Sequence, residues 1–86
     1  MKFRNKPVVI EAFLWDPATL ISEMPDWFFD ACSDMKCFHE MNGTMSIFTL
    51  EGTMTVQIGD WIIRGVHGEL YPCKPSVFVA TYEVAE

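Results

Sequence analysis

Apolar and polar positions change their spacing along the chain, and each change marks an element. Pro7-Val8-Val9-Ile10-Glu11-Ala12-Phe13-Leu14-Trp15 is dense in β-branched and aromatic side chains, which fit a pleated, half-buried surface. Pro7 suits the first position of a strand, so the run predicts strand one. Asp16-Pro17 joins a capping side chain to a proline suited to the first helical turn, predicting a turn or short helix to about Ser22. Pro25 then opens a helix over 26–32, with Asp26 and Asp30 among its acids and Phe28, Ala31 and Cys32 on one face. That face is expected to cover a sheet.

From Lys36 the spacing becomes strand-like. Cys37–Met41 and Thr44–Thr49 flank Asn42-Gly43, which predicts a hairpin closed by a type I′ turn with positive φ at both central residues. After Gly52, the run Thr53-Met54-Thr55-Val56-Gln57 alternates, putting Met54 and Val56 on the buried face. Gly59-Asp60 turns into Trp61–Arg64, and Gly65 and Gly68 bracket a further turn before Glu69-Leu70-Tyr71. Pro72 and Pro75 argue against a continuous strand across them; Val77-Phe78-Val79 fits a strand equally, but Pro75 favours a short helix to Thr81, with a terminal strand at 82–84. The expected fold is α+β: an antiparallel meander of about five strands with two or three short helices packed on one face.

Length keeps this to one domain over residues 1–86, because 9.9 kDa leaves no room for a second core and no linker or repeat divides the chain. Twelve acids against six bases give a net charge of −6, which excludes a nonspecific nucleic-acid binder that needs a basic face. The charge is blocked: Lys2, Arg4 and Lys6 open the chain, and seven acids lie between Glu11 and Glu40. No apolar run approaches membrane-spanning length, and the basic start meets Pro7 and Glu11 before an export segment forms, so a cytoplasmic protein is expected. Three cysteines are an odd number, so reduced thiols are expected.

The stretches Lys-Phe-Arg-Asn-Lys-Pro-Val-Val-Ile-Glu-Ala-Phe, Thr-Leu-Glu-Gly-Thr-Met-Thr-Val and Gly-Asp-Trp-Ile-Ile-Arg-Gly-Val-X-Gly-Glu-Leu-Tyr-Pro-Cys-Lys-Pro resemble a family of small bacteriophage and prophage proteins of PGDYG type. The resemblance covers nearly the whole chain and is weakest over 35–46. Ile58 replaces the usual proline before Gly59-Asp60, and Trp61 stands where Tyr or Trp occurs. The resemblance implies a phage accessory protein acting in the host cytoplasm, and it implies no catalytic residues.

Candidate chemistry is sparse. Cys32, Cys37, His39 and Cys73 offer three thiolates and an imidazole to zinc, but Cys-x4-Cys-x-His lacks the tight ligand spacing of a knuckle, so free thiols are expected. A Cys73 nucleophile with His39 or His67 as base lacks a visible third group, and His67 between Val66 and Gly68 reads as a turn residue. No glycine-rich phosphate loop precedes a helix, and no cofactor is expected. Asp26, Asp30 and Asp34 recur every four residues, reading either as a solvated stripe or as a docking surface for a basic host protein. Trp61 reads first as a core residue and secondly as a ligand-facing ring. Arg64 and Lys74 flank Trp61 and Tyr71, with Arg4 and Lys6 near the first strand; cations beside aromatic faces suit phosphate and base of a nucleotide.

Three functions follow from the sequence, none of them catalytic. The first is a homo-oligomeric counter-defence protein that sequesters a small anionic, nucleotide-derived signal in pockets between protomers, through Arg64, Trp61, Tyr71, Lys74, Arg4 and Lys6. The second is an inhibitor that binds a host protein through an acidic or aromatic surface at Asp26, Asp30 and Asp34. The third is a structural or morphogenetic accessory of the phage particle.

Overall fold

The computed structural model describes residues 1–4 and 7–85. Its elements run β1 (Glu11–Leu14), α1 (Asp26–Ser33), β2 (Cys37–His39), β3 (Met45–Thr49), β4 (Gly52–Val56), β5 (Trp61–Arg64), β6 (Leu70–Cys73) and α2 (Pro75–Thr81), with one 3-10 turn at Ile21–Glu23. The α+β class read from the sequence holds. The single meander does not: six strands form two antiparallel three-stranded sheets, ordered β1-β5-β6 and β2-β3-β4. The reason lies at the β4–β5 turn. Trp15 N–H donates to the Asp60 carbonyl at 2.8 Å, and Gly59 N–H donates to the Trp15 carbonyl at 2.8 Å, so the turn is laced to the end of β1 and β5 pairs there instead of continuing beside β4.

One apolar cluster joins both sheets to α1. It contains Trp15, Phe28, Ala31, Cys37, Met45, Ile47, Val56, Ile62 and Leu70. Aromatic rings flank it: the half-buried Phe13 meets Trp27 and the core residue Phe28 edge-on at 5.5 and 5.0 Å between ring centres. The buried Trp15 indole N–H needs an acceptor and finds the Gly43 carbonyl at 2.8 Å, tying the first strand to the β2–β3 turn. Phe28 and Ala31 are buried as their helical spacing predicts, while Cys32 at the margin of that face is half-buried.

Several boundaries differ from the sequence reading. β1 begins at Glu11 because its partner β5 ends at Arg64, where Gly65 turns away, leaving 7–10 without a ladder. The β2–β3 turn is not type I′, since Gly43 has φ +91° but Asn42 is not in the positive region. Gly43 N–H donates to the Glu40 carbonyl at 3.1 Å, while Asn42 Oδ1 accepts from the Thr44 amide at 3.0 Å and hydroxyl at 2.7 Å. The asparagine side chain thus satisfies the backbone locally, lengthening the loop. As the prolines require, no strand crosses from Pro72 to Pro75, although β6 takes in Pro72 and ends at Cys73. As an outer strand, β6 can turn the missing N–H away from its ladder. Met54, opposite Ile47 at the middle of the β3–β4 ladder, is 41% exposed rather than buried, because it lines an open groove beside β6. No strand forms at 82–84: Tyr82 N–H donates to the Phe78 carbonyl at 2.9 Å and ends α2.

Candidate functional site

Register in the first sheet decides which predicted site residues can meet. Trp61 opposes Cys73 and Ile63 opposes Tyr71, so these four share one face; Arg64 opposes Leu70 and Glu11 and, two residues on from Ile62, shares the other face with it. Helix α2 closes over the first face. Trp61 stacks on Phe78 with ring centres 4.0 Å apart and planes 5° from parallel, and Phe78 in turn meets Tyr82 at 5.1 Å. The Tyr71 and Tyr82 hydroxyls approach to 3.5 Å. Burial first, then the Tyr82 hydroxyl, pushes the Tyr71 phenol up to about 12. Trp61 is therefore a packing residue under α2, with its face occupied.

The cations are likewise engaged. Lys74 Nζ lies 3.0 Å from Asp60 Oδ2, and Asp60 is only 4% exposed. The same Asp60 oxygen accepts the Gln57 amide at 3.0 Å, so Lys74 neutralises a buried carboxylate that holds the β4–β5 turn. Arg64 Nη1 lies 3.2 Å from Glu11 Oε1 across β5 and β1, both side chains largely exposed. Arg4 is exposed in the segment before β1, and Lys6 lies outside the described residues. Trp61, Tyr71 and Lys74 thus stand apart from Arg64, and the described members of the set expected between protomers line no common pocket within one chain.

Among the described residues, two concavities bear on these side chains. A recess of about 180 Å³ is lined by Trp27, Asp30, Asp34, Lys36, Arg64 and His67, among others. It unites residues that the sequence assigned to rival sites: Arg64 from the ligand set, and Asp30 and Asp34 from the acidic stripe. Asp26, one turn earlier, is exposed and outside it. The larger concavity is a groove of about 660 Å³ between the β3–β4 hairpin and β6, built on Ile47, Phe48, Leu50, Met54, Leu70 and Tyr71. Lys36, Glu51, His67 and Glu69 edge it. The sequence reading did not find this groove. One signal was present: Leu50 occupies a hairpin turn, where no turn chemistry asks for a leucine, and it is fully exposed.

Comparison of the chain with family models, with curated proteins and with solved structures finds no match.

The cysteines divide in two. Cys32 at the end of α1 and Cys37 at the start of β2 bring their Sγ atoms to 2.9 Å, while Cys73 sits on the face of the other sheet beside Trp61. His39 meets the edge of the Trp15 ring at 5.2 Å. Among the described residues no three metal-ligating side chains gather. Burial, then the bond and charge of Cys32, pushes the Cys37 thiol up to about 12. Burial and the charge of Asp60 also raise Cys73. A nucleophilic thiolate needs the opposite shift.

Proposed function

We propose that the protein works by occupancy, as a binding module that holds an apolar, basic segment of a partner protein in the groove between the β3–β4 hairpin and β6. The observation that carries this reading is the groove itself. Its volume of about 660 Å³ falls in the range of sites that enclose a ligand, and its floor is apolar. Phe48 and Met54 are 49% and 41% exposed there, in a molecule that otherwise buries its neighbouring Ile47 and Leu70. Glu51 and Glu69 on the rim, together with the net charge of −6, favour Lys and Arg on the partner. The resemblance to phage accessory proteins makes the partner a host protein met in the host cytoplasm, and the consequence its inhibition. The raised thiols Cys37 and Cys73 support a role without covalent chemistry.

Selection of a random peptide library on the immobilised protein tests this. The expected peptides alternate Leu, Met or Phe with Lys or Arg, and Met54→Asp weakens them about 30-fold, the size of a 2 kcal/mol hot-spot loss. Peptides without basic residues, or equal binding to Met54→Asp, would reject the groove.

Capture of a small anionic, nucleotide-derived ligand is the second reading. It draws on Arg64, Lys36 and His67 beside Trp27 at the smaller recess, where they offset Asp30 and Asp34 and where a volume of about 180 Å³ requires a second protomer to enclose a nucleotide. Here one member of a nucleotide panel raises the thermal midpoint, and Arg64→Ala removes the shift. A flat panel dismisses it.

A further inference from the structure

We infer that the free edge of β1 is a homodimer interface: two copies pair β1 to β1 in antiparallel fashion across a two-fold axis, giving a continuous sheet β6-β5-β1-β1-β5-β6. Strand β1 is the outer strand of its sheet, and only one of its edges meets β5. The alternation of an antiparallel ladder turns the main-chain groups of Ala12 and Leu14 away from β5, since Trp15 N–H already points to Asp60. Natural sheets guard such edges with proline, lysine, a bulge or a covering element. Glu11-Ala12-Phe13-Leu14 carries no proline or lysine, and Leu14 is 47% exposed with Val8 and Val9 exposed ahead of it.

Area and charge name the occupant as a second copy. The chain exposes 6820 Å², against about 5,200 Å² for a compact monomer of its mass. Its radius of gyration is 13.6 Å, against about 12 Å expected for this length. The excess surpasses the roughly 800 Å² that one partner buries in a standard interface. A register centred on Ala12 sets Ile10 against the partner's Leu14 and keeps the two Glu11 carboxylates from facing each other. It also sends the start of the chain, with Lys2 and Arg4, past the partner's Trp15 toward the partner's Asp16 and the partner's Glu23. Half of the six cations lie in those first residues and all twelve acids lie beyond them, so the arm carries +3 and the remainder −9. Attraction between arm and body is therefore reciprocal, as an isologous interface demands.

Sedimentation equilibrium at about 50 µM protein, a concentration chosen to populate a micromolar dimer, should give twice the 9.9 kDa chain mass. Leu14→Lys should raise the dimer dissociation constant at least about 100-fold with an unchanged far-UV spectrum. Val9→Lys lies outside the β1–β5 ladder and so leaves the fold untouched; it should weaken the dimer as well. Met54→Asp should leave the dimer intact, which separates this interface from the groove. A monomeric parent chain, dimers that survive both lysine variants, or dimers lost in Met54→Asp would overturn the inference.

Discussion

Met35 is the one non-glycine residue with positive φ among the described residues, at +59°. It ends α1 in a Schellman arrangement: Lys36 N–H donates to the Ala31 carbonyl at 2.9 Å and Met35 N–H to the Cys32 carbonyl at 3.1 Å. A side chain in this region costs about 1 kcal/mol that glycine avoids. Met35→Gly should therefore raise stability by about 0.5–1 kcal/mol, read as a higher urea midpoint with an unchanged slope. Protonation gives a second prediction at this scale. Cys37 and Tyr71 both hold their protons more tightly folded than unfolded. Their contribution is fully present below pH 9 and is lost as pH rises toward 12. Stability should fall across that window, and Tyr71→Phe should fall less steeply above pH 10, measured by denaturant titration at each pH. At pH 8.5, iodoacetamide should modify Cys37 more slowly than an ordinary exposed thiol near that pKa.

Elements in this molecule are held by their connections as much as by their faces. The β4–β5 turn shows why Gly59-Asp60 reads as turn chemistry yet does more. Asp60 accepts the Gln57 amide, takes the Lys74 ammonium and passes its own carbonyl to Trp15, so one residue joins β4, β5, β1 and the start of α2. Asp60→Asn keeps an acceptor for the amide but leaves Lys74 unpaired, and Asp60→Ala loses both. The expected losses are about 1 kcal/mol for Asn and 2–3 kcal/mol for Ala, compared by thermal and urea melts. Equal losses would mean that the turn bond contributes nothing. Helix α2 is anchored through Phe78 on Trp61, a contact that the sequence signalled as two aromatic residues but whose pairing needed the register of β5.

For the whole molecule, two surfaces matter: the groove between the sheets and the unguarded β1 edge. They lie on different elements, so loss of one should leave the other. Peptide binding by the groove therefore persists in Leu14→Lys, checked by fluorescence anisotropy of a selected peptide on the monomeric variant. Within one chain, the rings and cations assigned to a nucleotide site between protomers lie apart for a reason of parity. Trp61 and Arg64 are three apart on one strand, and an odd spacing puts side chains on opposite faces. Lys74 was withdrawn by the buried Asp60, whose burial no local pattern announced.

What the sequence determined by itself depends on near neighbours. Periodicity located the helix at 26–32, one residue short of its end, with Phe28 and Ala31 inward, the strand-rich stretch after Lys36, the turns at Gly43, Gly59 and Gly68, and the proline-led α2. Tertiary structure alone decided which strands pair. That choice rests on bonds such as Trp15 to Asp60 and Trp15 to Gly43, made between residues 45 and 28 positions apart, whose partners become known only once the chain is closed. The same long-range closure brought Arg64 to Asp30 and Asp34, and opened a groove whose walls come from separate sheets.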